Sequence, residues 1–234
     1  MKKITEAIIL AGGLGTRLRS AVPDLPKCMA PVAGKPFLYY VISYYQKQGI
    51  ERFIFSLGYR HEDIEQWLSN SYPTLSYTIV IEDEPLGTGG AIKLACSKVQ
   101  SNDVLVLNGD TLFKIDLDHQ AKMHFREEAN CTLALKPMKN FDRYGVVQTE
   151  KDGTVQSFQE KQYYENGNIN GGVYIVRKDS FLHLPFPEKF SFEKDYLEHY
   201  CRKQVFKAVL HEGYFIDIGI PSDYERAQTE LPQL

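Results

Sequence analysis

The sequence predicts an α/β protein in which a central, mostly parallel sheet is flanked by helices and joined to a smaller mixed-sheet lobe. Two observations carry this. In the first half, short runs that are apolar throughout alternate with helical segments, the pattern of strands buried on both faces. Beyond about Leu117 the strand signals crowd together, with two helical stretches between or after them. At 234 residues and 43% hydrophobic, the chain can bury a sizeable core as one domain covering 1–234.

The elements follow in order. The run Ala-Ile-Ile-Leu at 7–10 reads as a buried strand, and a glycine-rich loop comes after it. A helix is expected from about Pro36, because proline suits a first helical turn, and it stops at Gly49. A strand at 52–57 precedes a helix at 62–68. A strand at 77–81 leads through Glu84-Pro85-Leu86-Gly87 into a helix from about Thr88 to Lys98. The strand at 104–107 ends in Asn108-Gly109-Asp110. In the second half, strands are expected at 131–135, 145–149, 154–158, 172–176, 205–210 and 214–218, with helices near 192–203 and 222–231. Neither a low-complexity linker nor an internal repeat interrupts the chain.

Chemistry first shows itself in Leu10-Ala11-Gly12-Gly13-Leu14-Gly15-Thr16-Arg17-Leu18-Arg19. Glycines let backbone N–H groups converge on an anion, and without a Cβ nothing holds the anion off. Arg17 and Arg19 add planar donors that match phosphate oxygens. Shortly afterwards, Leu25-Pro26-Lys27-Cys28-Met29-Ala30-Pro31 places one lysine in a loop stiffened by two prolines. The combination points to a nucleoside triphosphate, with residues 1–117 as a nucleotide-binding half and 118–234 as a substrate half. A Walker A loop would need Gly-x-x-x-x-Gly-Lys-Ser/Thr, which does not occur. A dinucleotide fingerprint would need a third small residue where Leu18 stands, and an acid closing the second strand, where Gly58 and Tyr59 stand.

A formal net charge of -3 without a basic block argues against nucleic acid as a partner. No run approaches the length of a membrane span, and Glu6 and the early glycines spoil the reading of Met1-Lys2-Lys3 as a signal peptide. The four scattered cysteines form no Cys-x-x-Cys pair, so free thiols in a cytoplasmic protein are expected. The histidines show no zinc-ligand spacing.

Two acids stand where apolar residues dominate. Asp110 follows Val104-Leu105-Val106-Leu107 at the carboxyl end of a strand, the edge at which open α/β sheets bind ligands. Asp217 sits inside Phe215-Ile216-Asp217-Ile218-Gly219. A carboxylate in such a setting is costly unless hydrated, paired or bound to metal, so both are candidates for one Mg²⁺ shared with substrate phosphates. The competing roles are a turn cap for Asp110 and a solvent-facing edge acid for Asp217. Glu160-Lys161, Asn170-Gly171-Gly172 and Arg143-Tyr144-Gly145 are weaker signals that ordinary turns and solvated pairs also produce.

Together these pieces resemble the sugar-1-phosphate nucleotidyltransferase family along nearly the whole chain. The resemblance rests on residues 10–18, Pro26-Lys27, Glu84 to Ala91, Gly109-Asp110, Tyr144 to Val147, Glu160-Lys161, Ile169 to Tyr174 and Asp217 to Tyr224. It implies a Rossmann-like nucleotidyltransferase fold. It also implies that Leu10, Ala11, Gly12, Gly13, Gly15, Thr16, Arg17, Gly87, Thr88 and Asn108 bind the nucleotide, and that Arg17, Lys27 and Asp110 are catalytic. Asp110 and Asp217 would hold Mg²⁺, and Gly145, Glu160, Lys161, Asn170 and Gly172 would hold the sugar phosphate. A finer match at residues 25–37 and 191–195 favours GTP with a sugar 1-phosphate, and it leaves a homodimer open. Gly89 and Gly171 replace alanines common in the family, so a changed fit to base or sugar is expected at both. The C-terminal left-handed β-helix of many relatives is not expected here. A binding protein that had lost the chemistry is the competing class, yet Arg17, Lys27, Asp110 and Asp217 are all retained.

Overall fold

The computed structural model describes residues 2–13, Leu18, Val22 and 25–234. The nucleotide half opens with β1 (Glu6–Leu10), β2 (Pro31–Val32), β3 (Lys35–Pro36), α1 (Phe37–Lys47), β4 (Arg52–Leu57), α2 (His61–Ser71) and β5 (Ser76–Ile81). It continues with α3 (Gly87–Cys96), β6 (Asp103–Asn108), β7 (Thr111–Phe113) and α4 (Leu117–Arg126). The second half contains β8 (Cys131–Phe141), β9 (Val147–Thr149), β10 (Val155–Phe158), β11 (Tyr164–Arg177) and α5 (Lys178–Leu182). A π-helix (Phe192–Glu198), β12 (Phe206–Leu210), β13 (Phe215–Asp217) and α6 (Pro221–Glu230) complete it.

Seven strands form one sheet in the order β12-β8-β11-β6-β1-β4-β5. β11 runs antiparallel to both neighbours, and the remaining pairs are parallel. The second half therefore extends the sheet of the first. The smaller pairings are a β9–β10 hairpin and the β7–β13 and β2–β3 pairs.

Alternation along each strand feeds two cores. Ala7, Ile9, Phe53, Phe55, Leu105 and Leu107 pack toward α1, α2 and α6, while Ile8, Ile54, Val104 and Val106 pack toward α3, α5 and the π-helix. Sheet faces covered on both sides account for strands that read as unbroken apolar runs. Among the described residues, no helix is long and apolar enough to cross a membrane.

Several elements depart from the sequence expectation for identifiable reasons. α4 was not anticipated because its inward face carries Gln120 and His124 beside Leu117 and Ala121. Most of those polar groups find partners within the core, and Gln120 Oε1 has none among the described residues. Gln120 Nε2 donates to Thr132 O at 3.0 Å, and the His124 ring bridges Thr132 and Asp103. β11 begins eight residues before the expected strand, because the Asn- and Gly-rich stretch 164–170 pairs with an equally prolonged β8. The expected helix at 192–203 is a π-helix as far as Glu198, continues as α-helix through Tyr200 and turns from Cys201.

Candidate active site

The carboxyl ends of β1, β4 and β6 meet at one edge of the sheet. Backbone bonds lock them together: Ala11 N donates to Ser56 O and Gly109 N to Leu10 O, each at 2.9 Å. A cleft of about 950 Å³ opens over this edge. Its walls include Leu10, Ala11, Gly12, Gly13, Lys27, Gly87, Thr88, Asn108 and Asp110, all expected from the sequence. Gly15, Thr16 and Arg17 lie outside the described residues.

Lys27 lies in a short 3₁₀ turn whose neighbours Cys28 and Met29 are buried, so its backbone is anchored at the rim of the core. Its ammonium reaches two carboxylates from distant parts of the chain. It forms an ion pair with Asp110, and Asp217 Oδ1 lies 3.5 Å away. Pairing of β7 with β13 sets Asp217 opposite Thr111, next to Asp110, and Ile218 N donates to Asp110 O at 3.1 Å. Lys27 is 11% exposed, Asp110 34% and Asp217 19%, so the group is part-buried yet open to a ligand. Asp217 Oδ1 also accepts from Gly219 N at 2.7 Å, so this acid closes a turn as well as facing Lys27.

These acids suit a shared cation because both reach a single positive charge. Among the described residues, no three His, Cys, Asp or Glu side chains gather into a metal cage. A cation here would draw its remaining ligands from phosphates or water, as Mg²⁺ commonly does.

Cys28 also lines the cleft, but burial and then the charge of Asp110 push its thiol up to about 12. It is a packed thiol and not a nucleophile at neutral pH. All four cysteines are free, as expected, and all are buried.

The candidates in the second half gather beside the cleft. Gln159 N donates to Val146 O at 2.8 Å, which sets Gly145 against the Gln159 carbonyl and brings Glu160 and Lys161 alongside. Val146 in turn bridges Ile169, one residue before Asn170. Gly172 adopts φ +72°, and a Cβ there would lie 2.7 Å from Nδ2 of Asn108 on the cleft wall. Asn170 is held at both ends, its Oδ1 accepting from Gly172 N and its Nδ2 donating to Tyr174 Oη. Glu160 and Lys161 remain exposed and do not line the cleft. Arg143 is committed elsewhere, in an ion pair with Asp223.

At Gly89 and Gly171 the missing Cβ makes room for aromatic rings of the protein: a Cβ at Gly89 would overlap the ring of Phe190, and one at Gly171 the ring of Phe113.

Sequence reasoning gave no role to the cleft acids Glu82 and Glu193, the second of which lies within the finer match at 191–195. Glu82 follows β5, where its carboxylate accepts from Leu86 N and Ser56 Oγ, each at 3.2 Å. Burial holds its pKa above the ordinary carboxylate value, against the pull of those two donors. Glu193 enters from the π-helix and accepts from the Thr88 hydroxyl at 2.7 Å. Glu82 opens the acidic run Glu82-Asp83-Glu84, and Glu193 lies beside Lys194 and near Asp195, so both read as solvated surface.

Comparison with known proteins agrees with this geometry. The chain is 54% identical to D-glycero-alpha-D-manno-heptose 1-phosphate guanylyltransferase of Aneurinibacillus thermoaerophilus, covering 97% of this chain and 98% of that one. Against the protein of the same name from Campylobacter jejuni subsp. jejuni the identity is 47%, over 94% and 96%. The crystal structure of HddC from Yersinia pseudotuberculosis complexed with GMP-PN is 40% identical, with a TM-score of 0.83 over 96% of this chain and 98% of that one. Residues 6–233 match the Nucleotidyl transferase family, and with a cleft built from that family's motifs the chain belongs to it.

Proposed function

We propose that this protein transfers GMP from GTP to D-glycero-α-D-manno-heptose 1-phosphate, giving the GDP-heptose and pyrophosphate. The observation that carries the reading is the near full-length similarity to two heptose 1-phosphate guanylyltransferases, at 54% and 47% identity. In this reading 1–234 acts as one nucleotidyltransferase domain in the cytoplasm.

An oxygen of the sugar phosphate attacks the α-phosphorus of GTP in line, the bond to the β-phosphate bridging oxygen breaks, and pyrophosphate departs. The buried, unreactive Cys28 gives no reason to invoke a covalent enzyme intermediate. Catalysis would then rest on positioning and charge neutralisation. Leu10, Ala11, Gly12, Gly13, Gly87, Thr88 and Asn108 hold the nucleotide, and Gly15, Thr16 and Arg17 the triphosphate. Lys27 meets the charge that grows on the α-phosphate. Gly145, Glu160, Lys161, Asn170 and Gly172 hold the sugar phosphate. Asp110 and Asp217 would hold Mg²⁺, whose chemistry when bound is to neutralise phosphoryl oxygens.

The test crosses the four common nucleoside triphosphates with heptose-, mannose- and glucose-1-phosphate, scored by pyrophosphate release as kcat/KM. GTP with the heptose should give the highest value. A preference of about tenfold, some 1.4 kcal/mol, for mannose 1-phosphate or for a pyrimidine triphosphate would overturn the assignment.

A further inference from the structure

The cleft wall beside Thr88 carries an acid, Glu193, that the family resemblance leaves without a role. Glu193 stands at the start of the π-helix, whose buried Phe192, Tyr196 and Leu197 fix it to the core. Single-turn π-helices are rare and recur at functional sites. The carboxylate is clamped on one side only. Its Oε2 accepts from the Thr88 hydroxyl at 2.7 Å and from the Ser191 hydroxyl at 3.2 Å, and Thr88 Oγ1 itself accepts from Phe192 N at 2.9 Å. No hydrogen bond to Oε1 and no ion pair to Glu193 occurs among the described residues. Two hydroxyl donors thus fix the orientation of a charged group and leave one oxygen for a ligand.

Position and charge narrow that ligand. Glu193 is bonded to Thr88 at the start of α3, and its negative charge opposes ionisation of the Tyr174 hydroxyl. That same hydroxyl accepts from Asn170 Nδ2, so the charge of Glu193 is felt beside a residue expected at the sugar phosphate. A carboxylate repels phosphate oxygens and accepts hydrogen bonds only, so its natural partner is a neutral group rich in O–H donors.

We propose that Glu193 is a specificity-determining residue that accepts hydrogen bonds from ring or side-chain hydroxyls of the sugar. This rests on the reading of the cleft as a site for a sugar 1-phosphate. The clamp through Thr88 ties the sugar side of the cleft to the start of α3.

The experiment is steady-state pyrophosphate release by wild type, E193A and E193Q, varying heptose 1-phosphate and GTP separately. Circular dichroism and thermal melting establish that each variant is folded. E193A should raise KM for the sugar phosphate by about tenfold or more while KM for GTP stays within about twofold, as expected for loss of a hydrogen bond to a charged group. E193Q keeps an oxygen for Thr88 and should show a smaller rise in the same parameter. It serves as the deciding variant if E193A does not fold. With deoxy sugar 1-phosphates, wild type should lose most where the deleted hydroxyl is the one bound, and E193A should lose little further there. An unchanged sugar KM in a folded variant overturns the proposal, and so does a rise confined to GTP, which would make Glu193 a reader of the base. Absence of turnover by wild type with any sugar 1-phosphate would instead fell the underlying functional reading.

Discussion

Replacing Lys27 with methionine separates the two jobs its ammonium performs. In the structure that charge lies beside Asp110 and 3.5 Å from Asp217 Oδ1, with 11% of the side chain exposed. At an effective dielectric near 20, opposite unit charges at that distance attract by about 5 kcal/mol. Desolvation of the three groups consumes much of this, so the substitution should cost about 2 kcal/mol of stability, or roughly 4–8 °C in melting temperature. Two carboxylates would then face each other uncompensated. Added Mg²⁺ should therefore raise the melting temperature of Lys27→Met more than that of wild type. In the reaction, charge on the α-phosphate grows toward the transition state, so the lysine should matter more to rate than to binding. Single-turnover pyrophosphate release should slow at least a hundredfold, about 2.7 kcal/mol, while GTP affinity stays within about tenfold, about 1.4 kcal/mol. Weakened affinity with unchanged turnover would make Lys27 a phosphate anchor only. A variant whose melting temperature ignores Mg²⁺ would refute the sharing of a cation by the two acids.

Asp110→Asn and Asp217→Asn should each reduce turnover at least a hundredfold, about 2.7 kcal/mol, with melting temperatures near wild type, and near-normal rates would remove both acids from the chemistry. Gly89→Ala should destabilise the fold by about 1–3 kcal/mol in urea unfolding through overlap with Phe190, and Phe190→Leu should recover part of that loss in the double variant. His211 accepts from Asp116 N at Nδ1, and its Nε2 has no partner among the described residues. Burial and then the positive charge of His119 lower its pKa to about 4. The unfolded chain takes up that proton near pH 6.5 and the folded chain only near 4. Its contribution is therefore complete above 6.5 and lost as pH falls toward 4, about 2 kcal/mol after allowing for solvent screening. Urea titrations from pH 7 to pH 4 should show a shallower fall for His211→Asn, and an unchanged slope would contradict the assignment.

The sequence disclosed most where chemistry conflicted with its surroundings. Asp110 after four aliphatic residues, Asp217 inside an apolar strand and Lys27 between two prolines each break a local pattern, and the fold brings these three charges together. Strands such as β4 and β6 were legible because both their faces are buried. Where polar residues face inward, the signal fails. α4 hides because Gln120 and His124 occupy core positions, and the front of β11 hides because its partner is another prolonged strand carrying exposed polar residues. Glu82 and Glu193 have the reverse problem. Glu82 among acids and Glu193 in a stretch of mixed charges resemble ordinary surface, and only the Leu86 amide and the Ser56, Thr88 and Ser191 hydroxyls distinguish them.

The antiparallel β11 also governs how the gene for this protein can be cut. Its stretch from Val173 to Arg177 zips onto β6, while residues from Tyr164 to Val176 zip onto β8. An expressed fragment stopping at residue 117 would bare one side of β6, whose Val104 to Leu107 are wholly buried in the intact protein. It would offer a flat, aliphatic, unpaired edge, the kind of surface on which chains stack into aggregates. Split reporters and domain grafts should accordingly be divided on the β12 side of β11, so that β6 never loses its antiparallel cover.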